Sequence, residues 1–253
     1  MPTAEVNGAR LWYDETGRGD ALLLLHGGLA DSGLWEPVVP LVGGRFRVLR
    51  MDFRFFGRSA GPAAPFSPVA DVIGLVEELR LAPVALAGVS FGGRVAIDVA
   101  LERPDLVRAV AAIAPALSGH DGAPYTAAQE RAYEEAEAAG DLEAAMAVDF
   151  EVWAPLGVDE RIRRLWLSTP DANPLPAGVE PLPPARPAKE HLNELSVPTL
   201  VVTVAHDPPG FREVGPLVAR AAPAATHVEL DSDHYVTLRE PELVARTLLD
   251  FLG

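Results

Sequence analysis

Apolar and polar positions along this chain follow two periods. Ala21–Leu25 is an unbroken apolar run, too short for a helix and the length of a strand buried on both faces of a parallel sheet. Phe46–Met51, Val84–Ala87, Val107–Ile113, Thr199–Val204 and Thr226–Leu230 read as further strands. Ala9–Glu15 alternates more and suits an edge strand, closed by the turn signal Gly17-Arg18-Gly19-Asp20. Between these runs the spacing changes. After Ser67 as cap and Pro68 at the first helical position, Val69, Val72, Ile73, Val76 and Leu79 recur every three or four residues, which predicts a helix. Asp31 or Ser32 can cap a short helix through Leu41, and Gly92–Glu102, Phe211–Ala221 and Pro241–Phe251 supply three more. Strands alternating with helices of this size predict an α/β fold, a doubly wound and mostly parallel sheet flanked by helices.

The alternation stops from about Leu117 to Glu190. Thr126–Trp153 is alanine-rich with helical periodicity through Tyr133, Ala136, Leu142, Met146 and Phe150, and a loop holding seven prolines runs from Pro170 to Pro187. The expected organisation is a core of residues 1–116 and 191–253, carrying a helical lid of residues 117–190 over the sheet. The 253 residues suffice for one such core.

Composition narrows the function by exclusion. The net charge of -15 repels a phosphate backbone, so nucleic acid is not an expected partner. No apolar run reaches the roughly 18–20 residues that cross a bilayer. The first residues, Met1-Pro2-Thr3-Ala4-Glu5, lack the basic and apolar segments of a secretory signal. The chain has no cysteine, which removes disulfides, thiolate metal sites and a thiol nucleophile. A cytoplasmic protein is the expectation. Lys189 is the only lysine beside twenty arginines, a bias that points to genome composition and to no function.

The chemistry begins at Gly88-Val89-Ser90-Phe91-Gly92, a G-x-S-x-G pattern set between a strand and a helix. A nucleophilic serine must project from a sharp turn, and small residues are needed where the backbone passes close to its neighbours. His26-Gly27-Gly28-Leu29 follows a central strand. Acyl transfer places negative charge on a carbonyl oxygen, and the N–H groups of Gly28 and Phe91 are the expected oxyanion hole. His26 is expected to brace that loop from beneath. Of six histidines, His234 alone lies in a polar loop after the last strand, at the carboxyl edge where open α/β sheets place their ligands. Asp207, directly after Thr199–Val204, reaches the same edge and can orient the imidazole. Asp231 and Asp233 are nearer in sequence, but a neighbouring carboxylate seldom meets the correct ring nitrogen.

Leu25-His26-Gly27-Gly28, Asp52–Ser59, Gly88–Gly93, His206-Asp207-Pro208, Asp233-His234 and Leu238–Glu242 together resemble the α/β-hydrolase family over nearly the whole chain. The order Ser90, Asp207, His234 is that family's order. The resemblance implies a serine hydrolase, carboxylesterase-like, with Ser90, Asp207 and His234 as catalytic triad and no metal or organic cofactor. The motifs say little about substrate, because this fold hosts many reactions, and a small, mostly apolar carboxylic ester, or a lactone or thioester, is the first expectation. A cofactor-free perhydrolase, a carbon–carbon bond hydrolase and a slow-turnover ligand receptor on the same scaffold remain alternatives. Leu29, Phe55, Phe150, Trp153 and Trp166 are the expected pocket lining. One departure stands out, since Phe55 occupies a position where the family loop D-x-R-G-x-G-x-S carries glycine. Asp52 and Arg54 are expected to brace that loop.

Overall fold

The computed structural model describes residues 2–170, 175 and 179–253. Eight strands form one sheet in the order β1-β2-β4-β3-β5-β6-β7-β8. They are β1 (Thr3–Val6), β2 (Ala9–Gly17), β3 (Asp20–Leu25), β4 (Phe46–Met51), β5 (Val84–Val89), β6 (Val107–Ile113), β7 (Thr199–Val204) and β8 (Ala225–Leu230). β2 runs antiparallel to both β1 and β4, and every other pair is parallel. The Ala9–Glu15 segment is therefore not the edge, because Thr3–Val6 folds back and covers it. Such a four-residue strand carries too little alternation to be read alone.

The helices are α1 (Val39–Val42), α2 (Pro68–Glu78), α3 (Phe91–Glu102), α4 (Ala127–Ala139), α5 (Leu142–Trp153) and α6 (Glu160–Leu167). α7 (Ala188–His191), α8 (Pro209–Arg212), α9 (Val214–Ala221), α10 (Val236–Arg239) and α11 (Pro241–Leu252) complete them. Asp31 does cap, accepting from Gly33 N–H, but it opens a 3-10 turn over Ser32–Trp35, and the short α1 comes only after that turn. The periodic stretch Thr126–Trp153 divides where Gly140 takes φ +66°, and Asp141 caps α5 through Ala144 N–H. Phe211–Ala221 likewise divides into α8 and α9. None of the helices is long and apolar enough to cross a membrane, among the described residues.

Side-chain alternation along β3 builds a core on each face. Leu23 and Leu25 pack with Val72 and Val76 of α2 and Val95 and Val99 of α3. Leu22 and Leu24 pack on the opposite face with Trp35, with Val244 and Leu248 of α11 and with the helices between β6 and β7. All four leucines are fully buried, each contributing about 1.5–3 kcal/mol of transfer free energy. The register pairs Leu25 with Gly88, Val89 with Ile113, Ile113 with Val202 and Val204 with Leu230. β3 thus ends one residue short of β5, and β7 and β8 end together two residues beyond it, all towards the same edge of the sheet. The loops that leave them share one rim.

Candidate active site

Ser90 is the residue between β5 and α3, and its backbone is unusual, with φ 54° and ψ -114°. A non-glycine residue there carries strain of order 1–3 kcal/mol, held by the surrounding structure. Three hydrogen bonds hold it: Ser90 N–H donates to Ile113 O at 2.9 Å, and Ser90 O accepts from Arg94 N–H at 3.0 Å and Ala116 N–H at 3.3 Å. The turn also needs its glycines. A Cβ on Gly88 would lie 2.3 Å from the Gly92 backbone, and one on Gly92 would lie 2.5 Å from the carbonyl oxygens of Leu25 and His26.

The loop after β3 lies beside this turn. A Cβ built on Gly28 would be 4.0 Å from the Phe91 Cβ, and one on Gly27 would be 3.4 Å from the Ser90 Cβ. Phe91 is the first residue of α3, so its N–H has no intrahelical partner and points out of the helix at its positive end. His26 braces the loop. Its Nε2 accepts from Phe53 N–H at 3.0 Å, so Nδ1 carries the proton, which it donates to Gly27 O at 2.8 Å. Burial pushes its pKa down, and the ring is neutral.

Asp207 and His234 leave β7 and β8 and meet. The His234 Nδ1 lies 2.9 Å from one carboxylate oxygen of Asp207 and 3.0 Å from the other, with both residues buried. A carboxylate only accepts, so the proton sits on Nδ1 and Nε2 keeps its lone pair for another partner. Asp231 is exposed and pairs with His206. Asp233 is fully buried and takes Arg239 Nε–H at 2.6 Å, together with the N–H groups of Tyr235 and Leu156 at 3.2 Å. It shapes the loop that carries the imidazole.

Ser90, His234, Gly28 and Phe91 open on one cavity of about 200 Å³, completed by Leu29, Ala116, Tyr125 and Trp153. No hydrogen bond joins Ser90 to His234 among the described residues; the two side chains share this cavity. A second cavity of about 280 Å³ adjoins at Gly28, Leu29 and Phe91, walled on the core side by Phe53, Phe56, Phe66 and Pro68.

Leu29 and Trp153 line these cavities, and Phe55, Phe150 and Trp166 stand outside both walls. Phe150 is buried within the helices between β6 and β7, and Trp166 is wholly enclosed, its indole N–H donated to Asp149 at 2.6 Å. Helical periodicity marks a buried face without telling whether it meets a cavity or another helix. Phe55 adopts φ 69°, the left-handed backbone a glycine would take, and packs edge-on against Phe66 at 5.4 Å. Its neighbours Phe53 and Phe56 face the cavity instead. Asp52 and Arg54 do brace this loop. Asp52 accepts from the N–H groups of Ser32 and Arg58, and Arg54 is clamped by Asp71 through two bonds of 2.9 and 2.7 Å.

Tyr125 lines the smaller cavity and the buried Asp149 stands behind it, and the sequence pattern singles out neither. Tyr125 O–H donates to Asp149 at 2.5 Å and its oxygen accepts the Trp153 indole N–H at 3.0 Å. A carboxylate inside an apolar helix face is the one signal of this pair that a sequence offers. Among the described residues, no group of three or more His, Cys, Asp or Glu side chains is placed to hold a metal ion.

Comparison with known proteins adds the family. (E)-2-((N-methylformamido)methylene)succinate hydrolase of Acinetobacter baylyi is 26% identical over 249 residues, covering 95% of this chain and 93% of that protein. An enol-lactonase from Burkholderia xenovorans LB400 aligns over 99% of both chains with TM-score 0.78 and 27% identity. A carboxylesterase from Bacillus subtilis gives TM-score 0.81 over 99% of this chain and 90% of its own, at 20% identity, a likeness of fold. The model of the alpha/beta hydrolase family matches residues 22–247, and with the sheet order, the strained Ser90 turn and the Asp207–His234 pair already described, the chain belongs to the α/β-hydrolase family.

Proposed function

We propose that the chain is a serine hydrolase that cleaves small, mostly apolar carboxylic esters, lactones or thioesters through an acyl-enzyme. The observation that carries this reading is the Asp207–His234 bond, which leaves the imidazole Nε2 basic on the cavity that Ser90 also lines. His234 Nε2 takes the Ser90 proton as Ser90 Oγ attacks the carbonyl carbon, and the tetrahedral oxyanion is held by the N–H groups of Gly28 and Phe91. Each such donor is worth roughly 10²–10³ in kcat. The imidazolium then protonates the departing oxygen, and the acyl group stays on Ser90. Water deprotonated by His234 attacks the ester carbonyl, and Ser90 leaves with the proton. The absent Ser90–His234 bond is compatible with this sequence of steps, because catalytic hydrogen bonds in unliganded sites are often long and tighten with substrate.

Residues 1–116 and 191–253 form the catalytic core in this reading, and residues 117–190 are its lid, supplying Tyr125 and Trp153 to the cavity. A small-molecule substrate and a cytoplasmic setting go with it.

Hydrolysis of p-nitrophenyl acetate and butyrate tests the reading. Saturable turnover, lost in Ser90→Ala and His234→Ala, is expected, together with a phosphonate adduct on Ser90. A single slow burst with a stable adduct, or activity indifferent to Ser90→Ala, overturns it.

A further inference from the structure

The two cavities are chemically unlike, and the direction of proton transfer decides which part of a substrate enters each. This inference rests on the serine-hydrolase reading. During acylation His234 must hand its proton to the departing oxygen, so the alcohol arm of an ester lies on the His234 side. That side is the cavity of about 200 Å³ bounded by Ala116, Tyr125 and Trp153. The carbonyl oxygen is fixed between the N–H groups of Gly28 and Phe91. The remaining substituent on the carbonyl carbon, the acyl arm, then points across the oxyanion hole into the chamber that shares Gly28, Leu29 and Phe91 but not His234.

That chamber is built for a ring. Its volume of about 280 Å³ is nearly twice the roughly 150 Å³ that holds a benzene molecule in an apolar protein cavity. Phe91 meets Phe53 edge-on at 4.9 Å and lies nearly parallel to Phe56 at 6.4 Å, so faces and edges are both presented. Arg54 is the one charged side chain in its wall among the described residues. It is no anion receptor. Its guanidinium is buried, both donor positions toward Asp71 are filled at 2.7 and 2.9 Å, and it lies over the Phe66 ring at 4.9 Å. A carboxylate on the acyl arm would lose its water and gain no free cation.

We propose that the phenylalanine-walled chamber is an acyl-arm subsite for an uncharged aromatic or cyclic group, and that the natural substrate joins such an acid to a small alcohol.

Isomeric esters read this directly. Methyl 3-phenylpropanoate and 2-phenylethyl acetate have the same atoms and near-equal hydrophobicity, but they exchange the arm that carries the ring. The first is expected to have a kcat/KM at least about tenfold higher, the scale on which a pocket separates apolar groups. Phe66→Trp, which narrows the chamber, is expected to bring that ratio towards one. Monomethyl glutarate is expected to fall about a hundredfold below methyl pentanoate, which has a methyl group in place of the carboxylate. Ser90-dependent hydrolysis of both isomers at equal rates, or faster cleavage of 2-phenylethyl acetate, overturns the subsite and leaves the serine hydrolase standing. So does monomethyl glutarate cleaved as fast as its neutral partner. If no ester in the set, p-nitrophenyl acetate included, shows Ser90-dependent turnover, the catalytic reading falls and the subsite with it.

Discussion

The Trp153 indole lies against the His234 imidazole, ring centroids 4.3 Å apart and planes tilted by 47°. The indole comes from α5 and the imidazole from the loop after β8, and the contact is secured from behind. Trp153 N–H donates to Tyr125, Tyr125 O–H donates to Asp149, and Asp149 also takes the N–H of Trp166. In the proposed acylation His234 gains a proton, and the indole face would stabilise that cation by about 0.5–2 kcal/mol. Trp153→Leu is therefore expected to lower kcat about two- to thirtyfold, with a smaller loss in Tyr125→Phe, where the indole loses its anchor. Steady-state kinetics checks this, and an unchanged kcat in Trp153→Leu would contradict it.

The two buried aspartates near the imidazole have separable roles. Asp207→Asn keeps the shape but favours the wrong tautomer of His234, and kcat is expected to fall by up to about 10⁴ with little change in melting temperature. Asp233→Ala leaves the Arg239 guanidinium and two backbone N–H groups without their acceptor. A loss of about 2–3 kcal/mol is expected, less than the roughly 3–5 of a fully enclosed pair because Arg239 reaches solvent. Urea unfolding and acylation rates, measured on both variants, distinguish them.

Backbone strain at Ser90 has a signature that activity alone does not reveal. Ser90→Ala and Ser90→Gly both remove the proposed nucleophile, but only glycine adopts φ 54° without steric penalty. At an ordinary position glycine is the weaker choice by about 0.5–1 kcal/mol. Here Ser90→Gly is expected to be as stable as Ser90→Ala or more so, in denaturant midpoints. A Ser90→Gly variant that is clearly the weaker would mean a relaxed turn.

Asp98 on α3 gives stability a pH dependence. It is buried, accepts the Ser118 O–H, and burial pushes its pKa up to about 6 despite that bond and the attraction of Arg94. The folded state thus holds the proton more tightly than the unfolded chain. The stability this confers is complete below the unfolded value of 3.8 and is lost as pH rises through about 6. Asp98→Asn removes the titration, so its stability relative to the parent is expected to rise between pH 4 and pH 7.5 by about 1–3 kcal/mol. Thermal melts across that range measure it; a constant difference would place the carboxyl in a wetter setting.

Much of this architecture is legible in the residues because it is local. Leu22–Leu25 is apolar on both faces, as a central parallel strand must be. Gly88 and Gly92 flank a serine where only glycine leaves room. Asp207 and His234 each stand just beyond a strand, and parallel strands deliver such residues to one rim. Contacts between distant segments are not legible in this way. Phe150 and Trp166 sit at helical spacing whether they face a cavity or each other's helix. Phe55 and Phe56 are neighbours of one kind, and only the left-handed backbone at Phe55 turns one to Phe66 and the other to the cavity. Thr3–Val6 gains its identity as a strand from pairing with β2. Asp149 shows its purpose only once Tyr125 and Trp166 arrive from either side.

The turn joining α5 to α6 is bound to the loop that carries His234, since Leu156 N–H and the Gly157 carbonyl engage Asp233 and Arg239 respectively. A substitution that disturbs this corner therefore reaches the His234 loop through Asp233 and Arg239, without altering any residue that lines the cavity.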